Sequence, residues 1–149
     1  KHRRRQRQMC IRDRFVSKLI EGNYPDYQKV FPSGEEQTLK VEKSLIQTAL
    51  SRASVLSNEK YRGVKFILTK DNLKICANNP SKETAEEEIS VDYSGDDLEI
   101  GFNISYIQDS LSVIHNSEID FVFYGPENSC IIKNNKNDNL VHVIMPMRL

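Results

Sequence analysis

Two stretches of helical hydrophobic periodicity interrupt a series of short segments in which apolar and polar residues alternate. This change of period is the strongest constraint on how the chain folds. Over residues 43–56 the apolar side chains recur on one helix face, and they are Leu45, Ile46, Ala49, Leu50, Ala53 and Leu56. Asn103 can cap a second helix, whose apolar stripe is Ile104, Ile107, Leu111 and Ile114. The segments around them alternate with period two, which is typical of strands. The pattern predicts an α+β domain, with two amphipathic helices packed on antiparallel sheets of about eight strands.

The predicted strands of this domain are short, and they occupy residues 38–41, 64–69, 73–77, 86–93, 98–102, 119–124, 129–133 and 140–144. Residues 70–72 join two of them with the composition of a hairpin turn. An earlier alternating segment, residues 15–20, predicts one more strand. Residues 24–34 contain two prolines and end in Ser-Gly, which favours an extended connector over a helix. We therefore expect the domain proper to begin near residue 36.

Composition excludes several classes of protein. Among the 149 residues, 38% are hydrophobic, yet no apolar run approaches the length of about 18 residues that spans a membrane. Cys10, Cys76 and Cys130 are too few and too scattered for a disulfide framework, which favours a cytoplasmic location. The three histidines are equally scattered, so no zinc-type cluster and no metal cofactor is predicted.

A basic arm precedes an acidic body. Residues 1–13 carry six of the 21 basic residues and one of the 21 acidic residues, which leaves the remaining chain with a net charge of −5. Such an arm is a nucleic-acid-binding tail, the charged region of a signal peptide, or a foreign segment. No apolar stretch with a cleavage site follows it, and no periodicity links it to the next residues. We expect the arm to be foreign or artefactual.

The sequence offers little support for catalysis. It contains no Gly-rich phosphate loop, and no spacing suggests a Ser-His-Asp or Cys-His arrangement. Asp96 and Asp97 follow a Ser-Gly pair and are expected to form the tip of a hairpin, although paired acids can also bind metal. We expect no catalytic residue.

Five short motifs are spaced along the chain from residue 25 to its end. They are Pro25-Asp26-Tyr27, residues 56–64, Ala77-Asn78-Asn79-Pro80, Ile100-Gly101-Phe102-Asn103 and Met145-Pro146-Met147-Arg148-Leu149. In this order they resemble the bacterial sliding clamp, the beta subunit of DNA polymerase III. The resemblance implies a DNA clamp fold and a non-catalytic subunit of three similar domains that forms a head-to-tail dimeric ring around duplex DNA. Residues 14–35 resemble the end of the second clamp domain with its linker, residues 36–149 resemble the third domain, and residues 1–13 match nothing in the family.

The resemblance also implies a site at the C-terminal tail. Two thioethers around a proline make a deformable apolar wall that suits several peptide partners. In the family this tail lines a pocket for short linear motifs of polymerases, the clamp loader and repair proteins. The positions that carry over are Pro25, Lys29, Val30, Tyr61, Asn103, Tyr106, Ser129, Val143, Ile144, Met145, Pro146, Met147, Arg148 and Leu149.

Two further surfaces are implied by the resemblance. The polar face of the first helix contains no acid, and its Lys43 and Arg52 are expected to face the DNA backbone without reading sequence. The acidic segment that begins at Glu83 is either a charged edge strand that prevents aggregation or the edge that joins a second subunit. In the second case the interface residues are Val55, Leu56, Glu83, Glu86 and Glu87.

Three readings of function remain at this point. The first is a processivity factor that encircles DNA and binds polymerase and clamp-loader motifs, with no membrane partner. The second is a truncated, stand-alone peptide-binding clamp domain that does not encircle DNA. The third assigns nucleic-acid binding to residues 1–13 alone, and deletion of the arm would then abolish it.

Overall fold

A computed structural model describes residues 16–18, 22, 26–57, 62–134 and 140–148. Within these residues the chain forms nine β-strands and two α-helices. Their order is β1 (Gln37–Glu42), α1 (Lys43–Val55), β2 (Gly63–Thr69), β3 (Asn72–Asn78), β4 (Thr84–Ser90), β5 (Asp92–Tyr93), β6 (Leu98–Asn103), α2 (Ile104–Val113), β7 (Glu118–Phe123), β8 (Cys130–Asn134) and β9 (Val141–Ile144). No helix in this described part of the chain is long and apolar enough to cross a membrane.

The strands form two antiparallel sheets whose connectivity repeats. One sheet has the order β5-β1-β7-β8-β9, and the other has the order β4-β3-β2-β6. The sequence β-α-β-β-β occurs twice, and the first strand of each repeat pairs in the sheet of the other: β1 pairs with β7, and β6 pairs with β2. This exchange makes the two repeats one cooperative unit. It also leaves β4 and β9, the last strands of the two repeats, at sheet edges.

The core lies where the two sheets and the two helices meet. Phe66 and Phe102 of one sheet pack on Phe121 and Phe123 of the other, and the ring centroids across the sheets are 6.5 Å apart. Within the two sheets the paired rings are 5.4 and 6.4 Å apart. These rings are buried, and such aromatic pairs add about 0.5–1.5 kcal/mol each beyond the area they bury. The predicted α+β architecture is confirmed, because two α-helices pack with antiparallel sheets of five and four strands.

The helices follow the predicted stripes except at Leu45 and at Leu56, which is half-buried just after the end of α1. Ile46, Ala49, Leu50 and Ala53 of α1 are buried, and so are all four stripe residues of the second helix. Leu45 is exposed, because α1 contacts the second sheet through one narrow face beside β3 and β4. Asn103 caps α2 as predicted: its side-chain oxygen accepts a hydrogen bond from the Ser105 amide at 2.9 Å.

Three local predictions differ from the structure. The connector contains a 3-10 helix, Tyr27–Val30, because the Asp26 carboxylate accepts from the Gln28 amide and nucleates a turn. Residues 16–18 of the predicted strand 15–20 are not in a strand, and the rest of that segment lies outside the described residues. The predicted strand 86–93 is interrupted at Val91, whose amide donates to the Asp71 carbonyl of the hairpin turn instead of continuing the ladder.

Candidate functional site

The C-terminal tail, residues 145–148, leaves β9 and crosses to the edge of the other sheet. The Met147 amide donates to the Gly101 carbonyl of β6 at 2.8 Å. The Arg148 guanidinium lies 3.3 Å from the Glu127 carboxylate, and both side chains are exposed. Exposed ion pairs contribute little to stability, so the tail is held by this backbone hydrogen bond and by the packing of Pro146 and Met147, which are half-buried. Met145 is 66% exposed at the start of this crossing.

A groove of about 710 Å³ opens beside the tail. Its lining joins the tail to the β6 edge and to the turn before β8, and the residues are Lys65, Glu99, Ile100, Gly101, Pro126, Glu127, Pro146, Met147 and Arg148. Two ion pairs border it: Arg148 with Glu127, and Lys65 with Glu99 at 3.3 Å. The groove therefore combines apolar lining from Ile100, Pro126, Pro146 and Met147 with the charged groups of these two ion pairs.

The structure brings only part of the predicted peptide pocket together. Pro146, Met147 and Arg148 share the groove. Val143 is half-buried, whereas the Ile144 side chain is in the hydrophobic core, where a ligand cannot reach it. Ser129 is half-buried next to Cys130, which pairs with Ile144.

The start of α2 lies close to the tail, because Asn103 follows two residues after Gly101 and α2 contacts β9. Tyr106 is 60% exposed in the first turn of α2. Tyr106 on α2 and Met145 on the tail each expose apolar surface. The Ile104 amide donates to the Arg62 carbonyl at 2.8 Å, which fixes this end of α2 to the residue before β2.

The other pocket candidates are separate or lie outside the described residues. Lys29 and Val30 are exposed on the 3-10 helix, and no hydrogen bond or ion pair within the described ranges joins that helix to the tail. Pro25, Tyr61 and Leu149 fall outside those ranges.

The predicted DNA-facing surface of α1 is mostly hydroxyl groups and amides. The Thr48 and Ser54 hydroxyls donate back to carbonyls of their own helix, at 2.8 Å and 2.6 Å. The Lys43 ammonium donates to the Ile114 carbonyl at the end of α2, so this cation helps to hold the two helices together. Arg52 is exposed, and its guanidinium lies 3.2 Å from the Glu87 carboxylate of β4. Both predicted cations therefore already contact their own domain.

The predicted subunit interface lies at the edge strand β4 and the adjacent end of α1. Val55 is 79% exposed, and Leu56 is half-buried. The acids of this edge each have a partner in the same chain. Glu83 accepts from the Asn79 side chain at 2.6 Å, Glu86 and Glu88 flank the Lys74 ammonium at 2.7 and 3.9 Å, and Glu87 contacts Arg52. The hydrogen bond that the Lys74 ammonium donates to Glu86 is the main reason that the pKa of Lys74 is raised.

The side chains that could act as metal ligands or nucleophiles are hydrogen-bonded or buried within the fold. Asp96 receives hydrogen bonds from Gln37 on its carboxylate and from the Tyr93 hydroxyl on its carbonyl, at 3.3 and 2.6 Å. Burial raises the pKa of the Cys130 thiol, and it is also the main reason that the pKa of the Cys76 thiol is raised. Neither thiol is activated as a nucleophile. No group of three potential metal ligands clusters in the described part of the chain.

Sequence reasoning missed six of the nine residues that line the groove. Lys65, Glu99, Pro126 and Glu127 carry no local signal, since their proximity to the tail depends on how two sheets face each other. Gly101 belongs to one of the quoted motifs, but its role as the acceptor for Met147 is a backbone contact that no residue pattern encodes.

Comparison with known proteins gives a consistent result. Residues 28–148 match the family described as the DNA polymerase III beta subunit, C-terminal domain. The beta sliding clamp of Pseudomonas putida is 45% identical over 135 residues, and that of Escherichia coli K12 is 41% identical over the same length. Each alignment covers 91% of this chain and 37% of the relative, so the chain spans little more than a third of the curated relatives it matches.

Solved structures show the same fold. A crystal structure of the Pseudomonas aeruginosa DNA polymerase sliding clamp with a ligand superposes with a TM-score of 0.84 at 44% identity, over 89% of this chain and 36% of that one. The Caulobacter crescentus polymerase III beta structure gives 0.83 at 32% identity, over 89% of this chain and 36% of that one. The tail, the groove beside it and the two-sheet architecture therefore occur in a chain that belongs to the DNA polymerase III beta subunit family and matches the C-terminal domain of its sliding clamps.

Proposed function

We propose that this chain is the C-terminal part of a sliding clamp, a non-catalytic processivity factor of DNA replication in the bacterial cytoplasm. The complete subunit forms a head-to-tail homodimeric ring around duplex DNA. Residues 36–149 are its third domain, residues 14–35 are the end of the second domain and the linker, and residues 1–13 are foreign to it. The partners are duplex DNA of any sequence, the second subunit, and short motifs of the replicative polymerase, the clamp loader and repair proteins.

The geometry of the tail carries this proposal. The tail donates one backbone hydrogen bond to β6, and Pro146, Met147 and Arg148 border a groove whose lining is partly apolar. Met145 is exposed, so its side chain is available to a ligand, whereas a buried methionine would only pack in the core. Flexible thioether side chains adapt to different peptide sequences, which suits one docking site used by several partners. A crystal structure of the P. aeruginosa clamp bound to griselimycin supports ligand binding by a relative of 44% identity.

The DNA side of the proposal requires weak contacts. A ring stays on DNA by topology, so its inner surface needs no tight local binding. The α1 face satisfies this requirement because its hydroxyls bond to their own helix, and Arg52 is an exposed cation on it. A polymerase peptide docked on such a ring experiences the primer-template at high effective concentration.

The test is retention of the full-length protein on DNA of two topologies. The clamp loader places the protein on a nicked circular plasmid, and half of the sample is then linearised with a restriction enzyme. We expect retention on the circle through gel filtration and loss from the linear form within minutes. Equal loss from both forms, with peptide binding intact, would favour a stand-alone peptide-binding domain. Retention that depends on residues 1–13 would assign DNA binding to the arm.

A further inference from the structure

Arg52 lies at the border between two surfaces that the proposed function keeps separate. It projects from the polar face of α1, and Val55, three residues later, is exposed one turn further along the same helix. Residues three apart on a helix are neighbours. Arg52 is thus adjacent both to the surface proposed for DNA and to the surface proposed for the next subunit.

Arg52 contacts Glu87, whose side chain lies on the opposite face of β4 from those of Glu86 and Glu88. Glu87 pairs in register with the buried Ile75 of β3, so its side chain points to the helix-covered face of the sheet. Its neighbours Glu86 and Glu88 point to the opposite face, toward Lys74. The Glu87 side chain is only 24% exposed, whereas that of Arg52 is 65% exposed. In this pair the arginine is the exposed partner, and the carboxylate is the more buried one.

We propose that Arg52 couples DNA binding to closure of the ring, an inference that rests on the proposed function. Without DNA, Arg52 is paired with Glu87 and competes for this carboxylate with any cation that the adjoining subunit brings to β4. A DNA phosphate attracts the exposed guanidinium, because phosphates are the dominant electrostatic partner of such cations. Glu87 then becomes available to the adjoining subunit. By linkage, DNA tightens the joint and the joint favours DNA by the same factor.

The coupling is small, and its sign is specific. An ion pair with one exposed partner is weak, so the competition changes the subunit dissociation constant by about two- to five-fold per joint. Removal of Arg52 should tighten the joint in the absence of DNA. A residue that simply contacts DNA would leave the DNA-free joint unchanged, and a residue that simply supports the interface would weaken the joint when removed.

The experiment measures subunit dissociation of the full-length protein, by fluorescence dilution, with and without a short linear duplex. Arg52→Gln is expected to lower the dissociation constant two- to five-fold without DNA. Glu87→Gln is expected to lose most of the tightening that DNA causes, although it keeps every DNA-contacting cation. Lys70→Gln and Glu118→Gln make the same charge changes at an exposed hairpin turn and at the start of β7, and they should behave as the unmodified protein does.

An unchanged or raised dissociation constant for Arg52→Gln without DNA would overturn the inference. So would a Glu87→Gln protein that retains the full effect of DNA. In both cases a ring that is still retained on circular DNA leaves the proposed function intact. A full-length protein that forms no dimer at any concentration would contradict both.

Discussion

At the residue scale, one buried carboxyl works against the stability of the fold. Asp120 of β7 is 5% exposed, and its Oδ1 atom has no hydrogen-bond partner within the described residues. In register it lies between Lys40 and Lys133 on the outer face of its sheet. Burial raises the pKa of Asp120 above the ordinary carboxyl value, and the two lysines only partly oppose this. The ionised side chain is therefore less favourable in the folded than in the unfolded chain.

The sign of the pH dependence follows from this raised pKa. The unfolded carboxyl loses its proton near its ordinary pKa of about 3.9, whereas the folded carboxyl still holds it. The stabilising contribution of Asp120 is thus complete below that value and is lost as pH rises through the folded pKa. We expect Asp120→Asn to raise the free energy of unfolding by about 1 kcal/mol at pH 7.

Urea unfolding at pH 7 and pH 3.5 measures this effect. The gain from Asp120→Asn should be present at the higher pH and nearly absent at the lower. Asp92→Asn, a change at an exposed carboxyl opposite the same Lys40, should alter stability by less than about 0.5 kcal/mol at either pH. A loss of stability in Asp120→Asn at pH 7 would show that its contacts with the lysines outweigh the cost of burial.

At the element scale, the first turn of α2 combines a structural and a proposed binding role in Asn103. Its side-chain oxygen caps the helix by accepting from Ser105, and it lies two residues beyond the carbonyl that holds the tail. Asn103→Ala should therefore lower the free energy of unfolding by about 1 kcal/mol, the usual value of an N-cap. Asn103→Asp keeps the acceptor and should retain most of the stability.

The two variants separate the roles of Asn103 when thermal unfolding is compared with peptide titration. If the residue also contacts a docked peptide, Asn103→Asp should bind the peptide more weakly while remaining as stable as the unmodified protein. Equal stability of the alanine variant would show that the cap contributes nothing in this setting.

The elements also show where sequence patterns are sufficient. The stripes of α1 and α2, the cap at Asn103 and the hairpin between β2 and β3 were all predictable, because each depends on neighbours within a few residues. The 3-10 helix was missed because one Asp26 side chain outweighed two prolines. The groove was only partly predictable: Met147 belonged to a recognisable tail, but its partner Gly101 is 46 residues away and was brought to it by the packing of two sheets.

At the scale of the whole molecule, the repeated β-α-β-β-β topology places the last strand of each repeat, β4 and β9, at the edge of a sheet. Each half contributes a strand to the sheet of the other, so the two halves share one core. The proposed peptide-binding site centres on the tail. Its side chains contribute little to the core, so its removal should cost binding and not folding.

The most direct measurement is titration of a polymerase-tail peptide into the full-length protein with and without residues 145–149. We expect deletion to weaken binding about 30-fold or more, as loss of a hot spot of about 2 kcal/mol requires, with thermal unfolding changed by only a few degrees. Val113→Ala, a truncation of another exposed apolar side chain, should leave the affinity unchanged. An unaltered peptide affinity after deletion of residues 145–149 would contradict the account.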